Sequence, residues 1–352
     1  MSTRRFHADE PDLDRFLAEV AEADLQPLWT QKGLMPGTPP IRDVPHLWRW
    51  KVLRHLAETS GQLVPIDRGG DRRVLSLSNP GLDGAPFATS TLWGAVQFLG
   101  PHEVAPPHRH TPSALRFVLE GRGVWTLVDN DPIVMEPGDL VLTPSTRWHE
   151  HHNSGDTPMI WFDGLDMPLV RALDAVFYED GGDEVTSAVD AASRSELRYG
   201  SGAGIVPVGE RPPVPHSPLL VYRWADTDRA LERQGQTSGA DTEAVRFVDP
   251  TTGQDVMPTL RCEMQRISGG ARSPGKRETG SSIYVTFRGG GTADIGSERF
   301  TVEQGDMFVV PSWNAFSFSA DEPTDLFRVT DAPVLEVLGL YRSEDVDPEV
   351  AR

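Results

Sequence analysis

The chain has 352 residues, with 33 basic and 52 acidic side chains and a formal net charge of −19. This acidic balance excludes electrostatic binding of nucleic acid, and the single cysteine, Cys262, excludes a disulfide framework and any cysteine-rich metal site. No apolar run is long enough to span a bilayer, and residues 1–10 lack the apolar core of a signal peptide. We therefore expect a cytoplasmic protein that binds neither nucleic acid nor a membrane.

Residues 1–62 are predicted to form an N-terminal helical arm. After Pro11, apolar residues follow the spacing of an amphipathic helix: Leu13, Phe16, Leu17 and Val20. A second helix is predicted from His46 to Glu58. Its aromatic opening, residues 45–50, suits a contact with the next domain or with a neighbouring subunit.

From residue 63 onward, short runs of β-branched and aromatic residues alternate with turn residues. This texture predicts an antiparallel sandwich or barrel. The predicted strands are Val74–Ser78, Ser90–Leu99, Ala114–Leu119, Gly123–Val128, Leu140–Thr143 and Met159–Phe162. A helix is predicted at Met167–Phe177, a connector at 181–255, and further strands from 256 to 352.

The two strand-rich regions repeat one another. A shift of 168 superposes Thr111 on Thr279 and Gly121 on Gly289, and a shift of 167 superposes Pro144 on Pro311. Two copies of an all-β unit of roughly a hundred residues are therefore predicted, at 63–180 and 256–352.

Six of the ten histidines lie between residues 102 and 152. His108 and His110 are two apart on a predicted strand, so their side chains leave the same face, and His149 on a neighbouring strand is available as a third ligand. The HxH pair, followed by Gly138, Pro144, His149 and Asn153 at matching spacing, resembles the two motifs of the cupin family. The resemblance implies that His108, His110 and His149 bind a metal. The alternative is that these histidines lie on the strands without binding one.

The second copy lacks these ligands, because Lys276, Glu278 and Phe316 stand at the equivalent positions. We therefore expect a mainly β bicupin in which cupin 1 (63–180) binds one metal per chain and cupin 2 (256–352) is metal-free.

The glutamate that many cupins add after HxH is also missing, since Ala114 and Leu115 stand there. Three neutral histidines leave coordination positions open, which suits bidentate substrate chelation plus dioxygen on Fe(II). The ligand set alone does not choose iron, because copper, nickel or zinc would bind three imidazoles more tightly.

Longer stretches resemble the gentisate 1,2-dioxygenase group, which includes salicylate-type and 1-hydroxy-2-naphthoate dioxygenases. The similar stretches are residues 45–50, 72–77, 108–117, 161–170 and 331–342. The resemblance implies an Fe(II)-dependent dioxygenase of aromatic catabolism that splits gentisate between its carboxyl- and hydroxyl-bearing carbons to give maleylpyruvate. It also implies a homotetramer, with a small aromatic hydroxy acid and dioxygen as substrates.

The same resemblance assigns substrate anchoring to Arg72 and Arg116. A guanidinium can donate two parallel hydrogen bonds to one carboxylate, which suits this role. Arg116 is six residues past His110, so one undisturbed strand would show it on the metal's face. Arg73 is the fallback for Arg72, and a surface ion pair is the alternative role for each arginine.

Further pocket residues are expected near the histidines. His151 shares the face of His149 and is the candidate for hydrogen bonding to substrate or for proton transfer, with a role in orienting a ligand as the alternative. His152 faces the other way and is expected to be structural. Trp93 and Gln97 lie four apart on one strand face and are expected to line the pocket, and Asp163 is a weaker candidate for supporting the site.

Two alternatives remain open at the level of sequence. Within the same class, a salicylate, substituted salicylate or 1-hydroxy-2-naphthoate is the alternative substrate, and the small Ala95 beside Trp93 does not decide between them. From another class, a non-catalytic bicupin would bind a small aromatic acid without turnover.

Overall fold

The computed structural model describes residues 10–66, 73–181, 192–202, 204–209 and 214–347. It divides the chain into two compact units, 1–40 and 41–352. In the first unit, helix α1 (Glu10–Glu22) confirms the predicted amphipathic helix, and a short 3-10 turn follows at Leu28–Thr30. No helix in the described part of the chain is both long and apolar enough to cross a membrane.

The second unit contains the remaining helices and all the described strands. Its helices are α2 (Trp50–Leu63), α3 (Met167–Ala172), α4 (Arg194–Tyr199), α5 (Trp224–Ser238) and α6 (Ala332–Val337). Strands up to the connector are β1 (His46–Trp48), β2 (Val74–Ser76), β3 (Trp93–Leu99), β4 (Val104–His110), β5 (Ala114–Glu120), β6 (Val124–Val128), β7 (Asp131–Val134), β8 (Leu140–Thr143), β9 (His149–Asn153), β10 (Met159–Leu165) and β11 (Tyr178–Asp180). The later strands are β12 (Val221–Tyr222), β13 (Thr242–Arg246), β14 (Arg261–Ile267), β15 (Lys276–Glu278), β16 (Ser282–Arg288), β17 (Gly291–Ile295), β18 (Glu298–Val302), β19 (Met307–Val310), β20 (Phe316–Ala320), β21 (Thr324–Thr330) and β22 (Ser343–Asp345).

These strands form two barrels, each made of a six-stranded and a five-stranded antiparallel sheet. The first barrel combines β12-β8-β5-β10-β3-β2 with β11-β4-β9-β6-β7, and the second combines β1-β19-β16-β21-β14-β13 with β18-β17-β20-β15-β22. The predicted mainly β architecture with an internal repeat is thereby confirmed.

The largest apolar core joins side chains from the six-stranded sheets of both barrels. Phe117 of β5 stacks on Phe327 of β21 with ring centroids 4.2 Å apart, and Cys262 is fully buried in the same core. Alternation along each strand sends the other set of side chains into the barrel interiors. The interior of the first barrel carries the candidate site.

The helix predicted from His46 begins later, because His46–Trp48 forms a strand that pairs with β19 of the second barrel. Helix α2 then starts at Trp50, whose N–H donates to Asp306 Oδ1 (2.7 Å) and so satisfies one of the unpaired donors of a helix N-terminus.

The predicted connector repeats this arrangement on the first barrel. Strand β12 pairs with β8, and α5 starts at Trp224, whose N–H donates to Asp139 Oδ1 (2.9 Å). Strand β12 therefore extends the first barrel as β1 extends the second, whereas α5 packs on β13 and β14 of the second barrel and α2 on β2 and β3 of the first. Each segment thus contacts both barrels, its strand pairing with one and its helix packing on the other.

Candidate metal centre and active site

Two neighbouring strands of the first barrel bring the three predicted ligands together. His108 and His110 lie on β4, and His108 is paired directly with His149 at the start of β9. One ring nitrogen of each histidine lies within 4.8 Å of those of the other two. The cluster is therefore compact enough for a single ion to bridge all three.

Backbone carbonyls fix which nitrogen each ligand presents. The Nδ1–H of His108 donates to the Pro106 carbonyl (3.0 Å). In the same way, His110 donates to the Pro112 carbonyl (2.7 Å) and His149 to the Arg147 carbonyl (2.9 Å). In its neutral form each ring therefore carries its lone pair on Nε2, where a metal can bind.

Burial keeps the third predicted ligand, His149, neutral. Desolvation, followed by the neighbouring His108, holds the pKa of His149 well below its ordinary value. Its Nε2 is buried and accepts no hydrogen bond from any residue that the structure describes. A buried, unprotonated nitrogen of this kind fits a bound metal ion, so the donor set suits the metal that the cupin motifs imply.

Arg116 lies inside the same barrel, on β5 of the opposite sheet. Its side chain is 5% exposed, Nη1 donates to the Thr143 hydroxyl, and Nε lies 3.5 Å from Asp163 Oδ1. The Arg116 charge contributes to lowering the pKa values of both His149 and His151, after desolvation as the main cause. A fixed cation therefore faces the histidine cluster from across the barrel.

The reason for this placement differs from the predicted one. Strand β4 ends at His110 and β5 begins at Ala114, so no undisturbed strand connects His110 to Arg116. Arg116 faces the interior because it is paired with Asp163, which is paired in turn with Ala95 on β3. Directly paired residues of antiparallel strands place their side chains on one face of the sheet.

His151 follows His149 on β9, with ring centroids 5.9 Å apart. Its Nδ1 makes a 2.8 Å hydrogen bond with the Thr126 hydroxyl, and its Nε2 is buried with no hydrogen-bond partner in the described ranges. Desolvation lowers the pKa of His151 well below its ordinary value, with Arg116 as the next cause. A neutral imidazole with one held and one available nitrogen can donate or accept a proton.

The predicted wall residues lie on the sheet that carries Arg116. Trp93 and Gln97 occupy one face of β3; Trp93 is half-buried and donates to Ser76 Oγ (3.1 Å), whereas Gln97 is buried. Trp161, paired with Gln97, donates to Asp163 Oδ1 (3.1 Å). Burial raises the pKa of Asp163 to about 6, against the opposing charge of Arg116.

Arg72 lies outside the described residues, and its predicted role stays a prediction. Arg73, the fallback, is buried elsewhere: it donates to the Val64 carbonyl (3.0 Å), pairs with Glu103, and packs on Phe98, which belongs to the core between the barrels.

His152 faces away from the cluster, as its position after His151 predicts. Its ring stacks on Trp125 at 3.9 Å, and its Nε2 lies 3.1 Å from Glu150 Oε2. The contacts of His152 are thus made on the outer face of the five-stranded sheet.

In the second barrel, Lys276 and Phe316 are paired across β15 and β20 just as His108 and His149 are paired across β4 and β9. The Phe316 ring packs against Tyr284 (4.8 Å), and Lys276 forms an ion pair with Glu278 (2.6 Å). Apolar and ion-paired side chains therefore occupy the positions that the predicted ligands occupy in the first barrel, beside a cavity of about 350 Å³.

Sequence reasoning missed the residues that hold the functional side chains in place. Thr126, Thr143, Trp161 and the three carbonyls that fix the imidazoles belong to this group. The two threonines sit at inward-facing positions of β6 and β8, but period-two alternation marks a residue's face and says nothing about the partner it meets there.

Comparisons with known proteins agree with this site. The cupin domain family matches residues 95–165, the part that contains all three histidines. A gentisate 1,2-dioxygenase from a Streptomyces species is 50% identical over 94% of this chain and 95% of its own, and a 1-hydroxy-2-naphthoate 1,2-dioxygenase from a Nocardioides species is 35% identical over 96% and 89%.

Among solved structures, a salicylate 1,2-dioxygenase from Pseudaminobacter salicylatoxidans superposes with a TM-score of 0.91 and 44% identity, covering 96% of this chain and 99% of that chain. This likeness extends over both barrels. The chain belongs to the family of gentisate- and salicylate-type 1,2-dioxygenases, ring-cleaving enzymes built from two cupin barrels.

Proposed function

We propose that this protein is an Fe(II)-dependent dioxygenase that cleaves gentisate, 2,5-dihydroxybenzoate, between its carboxyl- and hydroxyl-bearing carbons to give maleylpyruvate. The observation that carries the proposal is the meeting of three clustered imidazoles with the buried cation of Arg116 inside one barrel. The 50% identical relative named gentisate 1,2-dioxygenase supports the choice of substrate.

His108, His110 and His149 would hold one metal ion per chain through Nε2. An Fe(II) ion there would supply the Lewis acidity and the redox chemistry that ring cleavage by dioxygen requires. Both oxygen atoms of dioxygen enter the product, so no nicotinamide or flavin is consumed.

The anionic substrate requires fixed positive charge in a chain of net charge −19. Arg116 supplies it, since a buried guanidinium forms strong charge-assisted hydrogen bonds to a carboxylate or phenolate. Arg72 is proposed as a second anchor. Trp93 and Gln97 would form the wall against which the aromatic ring rests.

His151 is proposed to exchange a hydrogen bond or a proton with a substrate hydroxyl through Nε2. Its lowered pKa keeps the ring neutral near pH 7, so the nitrogen that faces the site can accept a proton from a phenol. The hydroxyl of Thr126 holds the other nitrogen and fixes the orientation of the ring.

Salicylate is the second candidate substrate, because a salicylate 1,2-dioxygenase matches both barrels at 44% identity. Gentisate carries a second hydroxyl para to the first, which makes its ring easier to oxidise. We therefore expect gentisate to be the better substrate of the two.

A substrate panel tests the proposal. Enzyme loaded anaerobically with Fe(II) should consume dioxygen with gentisate, and labelled dioxygen should place both atoms in the product. His108→Ala should abolish this uptake, whereas Lys276→Ala, at the equivalent position of the second barrel, should preserve it. Absence of uptake with gentisate, salicylate and 1-hydroxy-2-naphthoate would reject the function and favour a binding protein without turnover.

We also propose that the enzyme acts in the cytoplasm as a homo-oligomer, a tetramer by its family. In the unit 1–40, Leu13 and Phe16 of α1 are 44% and 48% exposed, and exposed apolar side chains of this size suit a subunit contact. Light scattering on the purified protein should give a mass several times that of one chain. The mass of a single chain would contradict it.

A further inference from the structure

The short strand β11, here called the strap, lies along the outer edge of the metal-binding strand β4. Its register pairs every strap residue with one residue of the ligand segment: Tyr178 with His110, Glu179 with Arg109 and Asp180 with His108. Without the strap, β4 would be an edge strand with unpaired backbone groups, and edges of sheets fray more readily than their centres.

A clamp of three side chains secures the strap on the face opposite the metal. Arg109 points away from the histidines that flank it, and its Nε donates to Glu179 Oε2 (2.9 Å). The same guanidinium lies 4.8 Å from the ring centroid of Trp148, the residue directly before His149. Arg109 thus joins the strap, β4 and the start of β9, which together carry all three ligands.

The strap also reaches one ligand directly. The ring of Tyr178 stacks on the ring of His108, with centroids 5.8 Å apart and planes inclined by 27°. Its hydroxyl donates to Asp180 Oδ1 (2.8 Å), which ties the phenol to the strap's own end. His108 is therefore held by the Pro106 carbonyl at Nδ1 and by Tyr178 against its ring.

Comparison with the second barrel shows which contacts of the strap are common to both repeats and which occur beside the histidines. Strand β22 pairs with β15 as the strap pairs with β4, and Arg277 contacts Glu344 (2.6 Å) and Trp313 (4.9 Å). The clamp is thus present in both repeats. At the position of Tyr178, however, the second repeat has Ser343, so the ring that stacks on a ligand occurs only in the barrel with the histidines.

We propose that the strap positions the metal ligands, with Tyr178 holding the ring of His108 and Arg109 bracing the two ligand strands. This inference rests on the metal site of the proposed function. Both are positioning residues, because they act through the histidines. Outer partners that orient metal ligands commonly contribute 10- to 100-fold to metal affinity.

Electrostatics alone predicts the opposite result for one of these residues. Replacing Arg109 removes a positive charge near the site and leaves Glu179 without this partner, which should attract a divalent cation. A positioning role requires affinity to fall in spite of that change. The sign of the effect therefore distinguishes the two accounts.

The test uses the full chain and Co(II) as the probe, with binding followed by its d–d absorption in competition with a chelator. Tyr178→Ser and Arg109→Ala should each weaken Co(II) binding about 10-fold. The matched control, Arg277→Ala, removes the same clamp from the second barrel and should lower the unfolding temperature as Arg109→Ala does, with Co(II) affinity unchanged.

Wild-type Co(II) affinity in both Tyr178→Ser and Arg109→Ala would overturn the inference while leaving the metal site intact. Failure of the unaltered protein to bind Co(II) would instead overturn the site of the proposed function, and the two failures are therefore distinguishable. If Arg109→Ala does not fold, Tyr178→Ser still decides, because Tyr178 is 43% exposed and its replacement leaves no buried cavity.

Discussion

Replacement of Arg116 by lysine tests the link between buried charge and substrate binding. The guanidinium donates to Thr143 through Nη1, and its Nε lies 3.5 Å from Asp163. A lysine ammonium is a compact donor on a flexible stem, so it cannot reach these two groups and an anionic substrate at once. Arg116→Lys should therefore keep the positive charge while losing the directed contact to substrate.

The magnitude follows from the burial of the site. A charge-assisted hydrogen bond to a buried group contributes about 1.5–3 kcal/mol, which corresponds to a fall of about 10- to 150-fold in kcat/KM. Most of the change should be a rise in KM, because the substrate carboxylate carries its charge both before and during cleavage.

Initial rates of oxygen uptake over a range of gentisate concentrations measure this effect. The matched control is Arg328→Lys, which alters a buried arginine of the second barrel that pairs with Glu263 (2.9 Å) and Glu278 (2.6 Å). The control should lose stability and keep kcat/KM. An Arg116→Lys enzyme within about twofold of wild type in kcat/KM would refute the assigned role.

Three further predictions follow from the same contacts. Thr126→Val keeps the volume of the side chain but releases His151, so kcat should fall about 10-fold and stability by about 1–3 kcal/mol; an unchanged kcat would remove His151 from the mechanism. His149→Ala should abolish metal binding, checked by metal analysis after dialysis. Asp166 and Asp331 are buried with pKa values raised to about 6, so the folded protein keeps protons that the unfolded chain releases near pH 4. Stability should therefore fall by about 3 kcal/mol per group as the pH rises through this window. Replacing either residue by asparagine should flatten the slope in urea unfolding measured at several pH values, and an unaltered slope would contradict this.

Local sequence pattern was sufficient to predict that the three histidines cluster and which faces their side chains take. HxH on one strand, with His149 after the Gly138 turn, predicted a cluster that the structure places within bonding reach of one ion. Alternation also separated His151, which faces the cluster, from His152, which stacks on Trp125. Both inferences need only the period of a strand, which is fixed by backbone geometry.

Contacts between distant segments could not be predicted in this way. The sequence from His46 has helical spacing, yet its first residues form a strand because β19, some 260 positions later, offers an edge. The connector likewise contains β12, which pairs with β8 of the first barrel, and α5, which packs on β13 and β14 of the second. The boundaries 1–62, 63–180, 181–255 and 256–352 stay predictions.

The support of the site has the same non-local origin. Thr143 holds Arg116, and Thr126 holds His151, through strand pairings that a linear pattern does not specify. Tyr178 reaches His108 only because β11 returns to the edge of β4. The sequence therefore predicted which side chains gather in the first barrel better than it predicted the groups that hold them in position.

Titration of the metal-free enzyme with Fe(II), with gentisate-dependent oxygen uptake measured at each step, tests the central claim most directly. We predict that activity rises in proportion to bound iron and saturates at one ion per chain, held by His108, His110 and His149. Saturation at two ions per chain, or no oxygen uptake at any loading, would contradict it.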